Sequence, residues 1–178
     1  NLNLVLQTIE ITSKVVVCVN LMDEAKRKGI SIDLDKLSKE LGVPVVGTSA
    51  LRKEGLDKLV SIVYDLSHDQ ILTKPINIRY DHHIEEAISS VQQILKPIVA
   101  NKLNPRWISI KLIEDDKLLL NSINKYLGYD LRDNLELMKV VNEAKIKLRN
   151  NGISLTIFRD EIVSHIVSLG EQISNRVV

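Results

Sequence analysis

Two short runs of β-branched residues, both in the first 75 residues, most constrain what this chain can fold into. Val15–Val19 and Val43–Val46 are each long enough for a buried strand and far too short to cross a membrane. Helical stripes of apolar residues precede, separate and follow these runs, and the middle stripe begins after Asp33 and ends at Gly42. Helices that alternate with strands in this order connect parallel strands. This part of the chain therefore predicts an α/β fold with a parallel sheet.

The rest of the chain predicts helices alone. Residues 76–178 contain no comparable strand run, and apolar residues recur there every three or four positions. The first helix is expected to end near Pro97, and Asn104 followed by Pro105 is typical of the start of the next. The spacing predicts four or more amphipathic helices packed as an all-α helical bundle. We therefore predict two domains, residues 1–75 and residues 76–178.

Polar motifs follow both predicted strands at the point where each strand ends. They are the tetrad Asn20, Leu21, Met22, Asp23 and the triplet Thr48, Ser49, Ala50. Open α/β sheets bind ligands at the carboxyl ends of their strands. An aspartate there can accept two hydrogen bonds from the N1–H and 2-amino groups of guanine, a donor pair that adenine lacks. The asparagine can tie neighbouring loops together and contact the base edge, and the Ala50 N–H is expected to face guanine O6. The tetrad alone is more simply a turn, but the two motifs at this interval favour a guanine-binding site.

The motifs also resemble a known family. Asn1–Leu59, most specifically residues 17–56, resembles the second half of the GTPase domain of the ferrous-iron transport protein B (FeoB) family, and the matching segments there include Val19–Ala25, Leu37–Val46, Thr48–Ala50 and Glu54–Leu56. The remainder, including Arg106 and Trp107, is similar to that family's helical domain, which lies between the GTPase domain and the membrane channel.

The resemblance implies a regulatory, cytoplasmic portion of a bacterial inner-membrane Fe²⁺ transporter. GTP or GDP and Mg²⁺ are then expected in the complete protein, with the membrane channel domain of the same polypeptide as partner. Small GTPases usually have a lysine where Leu21 stands, whereas this family has an apolar residue. We therefore predict modest nucleotide affinity.

The resemblance further implies a phosphate-binding loop, a switch threonine and an Asp-x-x-Gly segment, none of which occurs in these 178 residues. Gly42–Ser49 has the spacing of a phosphate loop, but Thr48 replaces its lysine and Pro44 removes a backbone donor. We therefore expect no catalytic residue here, no tight binding of nucleotide or Mg²⁺ by this chain alone, and negligible GTP hydrolysis. An incomplete sheet would leave an unpaired edge and exposed apolar surface, through which chains could associate.

Other patterns favour simpler interpretations. A net charge of +1, spread evenly, argues against nucleic-acid binding. His82 and His83 are adjacent and point to different sides of a helix, so we predict exposed first-turn residues and no metal site. Cys18, in the middle of a strand, is expected to be a small buried hydrophobe. Two alternatives for the whole chain stay open: a helical protein-interaction module without nucleotide activity, and a fragment of an unrelated GTPase.

Overall fold

The computed structural model describes residues 1–99 and 102–178. In chain order the elements are α1 (Leu2–Ile11), β1 (Val17–Val19), α2 (Met22–Arg27), α3 (Leu34–Leu41), β2 (Val45–Gly47), α4 (Leu56–Ser67), α5 (His82–Val99), α6 (Pro105–Glu114), α7 (Lys117–Leu127), α8 (Leu135–Asn150) and α9 (Leu155–Val177). Single 3₁₀ turns cover Ala50–Arg52 and Leu131–Asp133. The predicted fold class, a small parallel sheet with helices followed by an all-α region, is confirmed.

The chain forms two compact units. The first contains residues 1–77 and 166–178, and the second contains residues 78–165. The C-terminal half of α9 thus groups with the sheet, where the Asp33 N–H donates to the Val177 carbonyl at 2.8 Å. The domain division near residue 75 stays a prediction, because the units follow packing and need not follow domain limits.

The first unit is organised by its two-stranded sheet. β1 and β2 run parallel, with Val17 opposite Val45 and Val19 opposite Gly47. As predicted, α3 starts at a side-chain cap, since Asp33 accepts a hydrogen bond from the Lys36 N–H at 2.9 Å. The buried apolar residues around the sheet are Leu6, Ile9, Val17, Leu37, Leu41, Val43, Val46 and Leu66.

Cys18 corrects one expectation about this sheet. Its side chain is exposed, whereas the neighbouring Val17 is buried. Successive residues of a strand point to opposite faces of the sheet, so Val17 can be buried on one face while Cys18 is exposed on the other. Each strand has one hydrogen-bonded neighbour among the described residues, and β1 therefore keeps an open edge.

The second unit is built around α5, which packs against α6 and α8. This helix continues through Pro97 to Val99, beyond its expected end. Asn104 caps α6 with Pro105 at its first position, as predicted, and accepts from the Arg106 N–H at 2.9 Å. Within the described ranges, no helix combines the length and apolar character needed to span a bilayer.

A partly buried ion pair fixes the start of this unit. The Arg106 guanidinium donates to both carboxylate oxygens of Glu85, at 2.9 and 2.7 Å, and to the Ile78 carbonyl at 2.7 Å. It also lies over the Tyr80 ring, 5.5 Å from the centroid. Burial acts to raise the pKa of Glu85, but the Arg106 hydrogen bonds and the Tyr80 N–H outweigh it and hold that pKa below its usual value.

Candidate functional site

Asn20 joins the two polar motifs at the carboxyl ends of the strands. Its Oδ1 accepts hydrogen bonds from the Thr48 hydroxyl at 3.2 Å and from the Ala50 N–H at 3.3 Å. Backbone bonds continue the connection on either side, from the Thr48 N–H to Val19 at 2.8 Å and from the Met22 N–H to the Thr48 carbonyl at 3.1 Å. The predicted tie between neighbouring loops is therefore present, and Asn20 makes it.

Thr48 supports this junction from the buried side of the loop. Its side chain is buried, with 2% of the residue exposed, and its hydroxyl also lies 3.2 Å from the Cys18 sulfur. Because the hydroxyl has one proton and donates it to Asn20, the Cys18 thiol is the donor in the second contact. Thr48 thus serves the site by holding Asn20, and its side chain does not face outward.

Asp23 lies on the first turn of α2 with only 16% of its side chain exposed. Its Oδ1 and the Ser49 hydroxyl oxygen are both buried without a hydrogen-bond partner. The Ser49 hydroxyl nevertheless lies near enough to be the largest influence on the pKa of Asp23, which it lowers. Burial opposes that effect, while backbone N–H groups of α2 and the positive charge of Arg52 add to it. Asp23 is therefore an ionised acceptor at neutral pH, with a buried oxygen left to accept.

A tight loop brings the triplet beside this carboxylate. Ser49 and Glu54 exchange two backbone hydrogen bonds, at 3.1 and 3.2 Å, and close the loop around the 3₁₀ turn. Gly55 follows with a φ of +77°, and a Cβ there would lie 2.3 Å from the Gly47 carbonyl oxygen. Only glycine fits this position, so the link between β2 and α4 depends on it.

Leu21 occupies the position between Asn20 and α2 in a left-handed backbone conformation, with a φ of +63°. This conformation is uncommon for a residue with a side chain. It leaves 54% of Leu21 exposed, whereas Met22 is half-buried. The four residues of the tetrad therefore differ: two polar side chains turn to the loop and cavity, and the leucine faces solvent.

A cavity of about 570 Å³ opens beside Asp23. Its lining is formed by Met22, Asp23, Lys26, Gly29, Ile30, Ser31, Ile32, Arg52 and Glu54. Sequence reasoning found the first two and missed Lys26, Arg52 and Glu54. The sequence contains no spacing rule that would have indicated Arg52.

The fold defines a class of protein. A parallel sheet with polar motifs at its strand ends, followed by a helical unit, is part of a GTPase-type α/β domain joined to a helical domain. Residues 1–63 match the family model described as ferrous iron transport protein B, and residues 80–178 match that of the FeoB cytosolic helical domain. The chain belongs to the FeoB family.

Its relatives agree with this assignment. The chain is 29% identical over 163 residues to the Fe(2+) transport protein A/Fe(2+) transporter FeoB fusion protein of Porphyromonas gingivalis, covering 90% of this chain and 18% of that protein. It is 34% identical over 144 residues to the Fe(2+) transporter FeoB of Helicobacter pylori, covering 72% of this chain and 21% of that protein. The chain thus spans about a fifth of the length of these curated relatives.

A solved structure extends the similarity to the whole chain. A mutant S. thermophilus NFeoB bound to GDP superposes with a TM-score of 0.74 at 26% identity, covering 100% of this chain and 64% of that one. The chain therefore corresponds to less than two thirds of that solved chain.

Proposed function

We propose that this chain supplies the guanine-recognising part and the helical regulatory domain of the GTP-binding, cytoplasmic region of a membrane Fe²⁺ transporter. One observation carries the proposal. Asn20 fastens the loop of Thr48 and Ala50 to the end of β1, and beside it Asp23 keeps a buried carboxylate oxygen without a partner. The GDP-bound similar structure supports the same ligand class.

The residues at the site divide the recognition of guanine among them. Asp23 would accept the N1–H and 2-amino donors, a pairing that rejects adenine because the carboxylate would be left unsatisfied. Asn20 would hold the loop, and the Ala50 N–H, which donates to Asn20 in this structure, would share its one proton between Asn20 and O6. Leu21 would cover the base without the polar ties of a lysine. Met22, Thr48 and Ser49 would complete the pocket.

The described residues fit the base and do not fit the phosphates. The buried acceptor of Asp23 matches guanine, but Gly42–Ser49 runs from the C-cap of α3 through β2 to the loop after it, so it cannot wrap a phosphate. We infer that the parent polypeptide provides the phosphate loop and the Mg²⁺ ligands elsewhere in its sequence. This chain alone should bind GTP or GDP weakly and hydrolyse GTP negligibly.

The decisive experiment compares bases in the parent transporter's cytosolic region that carries this chain. Xanthine has a carbonyl oxygen in place of the 2-amino group of guanine, so Asp23→Asn should donate to xanthine where the carboxylate repels it. We expect Asp23→Asn to weaken GDP binding at least tenfold and to favour xanthosine diphosphate. Asp35→Asn, an exposed aspartate of α3, is the matched control and should change neither.

The same comparison tests the alternatives. If Asp23→Asn left the preference for guanine unchanged, the motif would play no part in base recognition, and a helical interaction module or another kind of GTPase would be favoured. The proposed partner is the membrane channel domain of the same polypeptide. Loss of nucleotide-dependent Fe²⁺ uptake in Asp23→Asn, with uptake retained in the control, would support that connection.

Association between copies of the chain is a separate proposal. β1 has an open edge, and Val60, Val63 and Tyr64 on α4 are at least half exposed. Both features expose surface that favours association. Light scattering with size exclusion should show a concentration-dependent mass for the isolated chain. A constant monomer mass up to hundreds of micromolar would contradict it.

A further inference from the structure

Arg52 lies beside the carboxylate that is proposed to select guanine. Its Nε is 3.7 Å from Oδ2 of Asp23, and both residues line the same cavity. Arg52 is 63% exposed at its side chain, whereas Asp23 is 16% exposed. The pair therefore joins a solvated cation to a largely buried anion.

The loop places Arg52 there by backbone bonds that do not involve its side chain. The Arg52 N–H donates to the Ser49 carbonyl at 3.1 Å, and Lys53 then takes a left-handed conformation with a φ of +58°. Leu51 is 92% exposed and points away from the core. The turn thus sets the backbone position of Arg52, and most of its side chain is exposed to solvent.

The chemistry of the two possible partners of Asp23 is similar. A guanidinium presents a planar N–C–N unit with parallel N–H donors, which matches a carboxylate. The N1–H and 2-amino groups of guanine present the same planar unit. A base that takes both carboxylate oxygens needs Oδ2, the oxygen that Arg52 approaches, so Arg52 and the base compete for that oxygen.

We propose that Arg52 is an internal competitor for guanine, which pairs with Asp23 and has to be displaced before the base can bind. This inference rests on the proposed function, because it assigns a regulatory residue to the same site. Because Arg52 has to leave first, the measured affinity of the pocket for guanine is lower than the affinity that Asp23 would have for guanine without this competition.

The size of the effect follows from the exposure of the pair. Arg52 is 63% exposed and its Nε lies 3.7 Å from Oδ2 of Asp23, too far for a hydrogen bond, so solvent screens the pair and the paired form outweighs the open form by a small factor. When the competent form is only partly populated, the apparent affinity falls by that fraction. Removing Arg52 should therefore tighten GDP binding about two- to fivefold.

Kinetics distinguish competition from a structural role. A side chain that occupies Asp23 before binding reduces the association rate and leaves the dissociation rate unchanged. A side chain that merely stabilises the loop would alter the dissociation rate. The gain in Arg52→Ala should therefore appear in association, and it should shrink at high salt, which screens the ion pair.

The test uses stopped-flow binding of a fluorescent GDP analogue to the parent cytosolic region that carries this chain. Arg52→Ala should raise the association rate about two- to fivefold, and Arg52→Lys, which keeps the charge, should fall between it and the unsubstituted protein. Arg27→Ala is the matched control: Arg27 is 74% exposed and pairs at 3.8 Å with Glu24 on the same helix, but it does not line the cavity. It should leave both rates unchanged.

A second background separates this inference from the proposed function. In Asp23→Asn the carboxylate for which Arg52 competes is gone, so Arg52→Ala should no longer change the binding of xanthosine diphosphate. Suppose that Asp23→Asn weakens guanine binding but Arg52→Ala leaves GDP binding unchanged or weaker. The role of Arg52 would then be wrong, while the proposed function would stand. If both variants kept their selectivity for guanine, the proposed guanine site would be wrong.

Discussion

Asn20→Ala tests whether one side chain holds the two motifs together. The change removes the acceptor of the Thr48 hydroxyl and of the Ala50 N–H, at 3.2 and 3.3 Å. Neither strand nor helix contains Asn20, so the substitution alters the tie without altering the propensity of an element. We expect the ends of β1 and β2 to open locally while the rest of the unit stays folded.

The magnitude follows from the burial of the two donors. A neutral hydrogen bond contributes about 0.5–1.5 kcal/mol. The Ala50 amide lies at an exposed loop and can bond to water, so its loss is at the low end, about 0.5 kcal/mol. Thr48 is 2% exposed and keeps only the weak contact with Cys18, which places its loss near 1 kcal/mol. The sum, about 1.5 kcal/mol, corresponds to just over tenfold in the local opening equilibrium.

Amide hydrogen exchange is the suitable assay, because a chain with two compact units need not unfold in one step. Exchange at Met22, whose N–H donates to the Thr48 carbonyl at 3.1 Å, should accelerate about tenfold in Asn20→Ala. Thr48→Val removes the hydroxyl partner and should reproduce most of the effect, with little further change in the double variant. Unchanged protection at Met22 in Asn20→Ala would refute the reasoning, since Asn20 would then not hold the loop.

Three further substitutions test the site and the helical unit. Leu21→Lys should raise the guanine-nucleotide affinity of the parent protein several-fold, and change the free energy of unfolding by less than about 0.5 kcal/mol because Leu21 is 54% exposed; titration with GDP and urea unfolding check both. Glu85→Gln should lower the free energy of unfolding of the helical unit by about 2 kcal/mol, because the Arg106 guanidinium, at 15% exposure, loses its charged partner; Trp fluorescence in urea measures it, and an unchanged midpoint would contradict it. The hydrogen bonds from Arg132 lower the pKa of Asp130 from 3.8 to about 2. This carboxylate therefore stabilises the folded state above pH 3.8, and its contribution is lost as the pH falls from 3.8 towards 2. Asp130→Asn should reduce the slope of the unfolding free energy against pH between pH 3.8 and 2. An unaltered slope would show that the Asp130–Arg132 pair is not its source.

The features of the fold that the sequence predicted are those set by local chemistry. The cap at Asp33 and the proline-started helix at Asn104 depend on side chains within three residues of the bonds they make. The tie by Asn20 was predictable for a different reason. The carboxyl ends of adjacent parallel strands lie at one edge, so motifs that follow both strands have to meet.

The features that it missed depend on neighbours distant in the chain. Helix α2 has six residues, too few for an apolar stripe, and its first N–H donates to the Thr48 carbonyl, 26 positions further on. The amphipathic pattern of α9 predicts a helix and cannot say that Val177 accepts a hydrogen bond from Asp33. Helix α5 ends at Val99, two residues after Pro97, so the proline lies inside the last turn and does not end the helix itself.

The site shows the same division at the scale of single side chains. Asp23 could be proposed from the sequence because a guanine ligand would demand a carboxylate, and that demand would fix a residue type at a strand end. Arg52 was not identifiable, because no rule of spacing requires a cation in that loop; its relevance comes from a 3.7 Å approach that only the folded turn creates. Motifs therefore reveal what a ligand needs, whereas the residues that oppose or delay its binding are selected by geometry. If Arg52 is such a residue, the affinity of this site is set by a contact that the guanine-recognition motif does not contain.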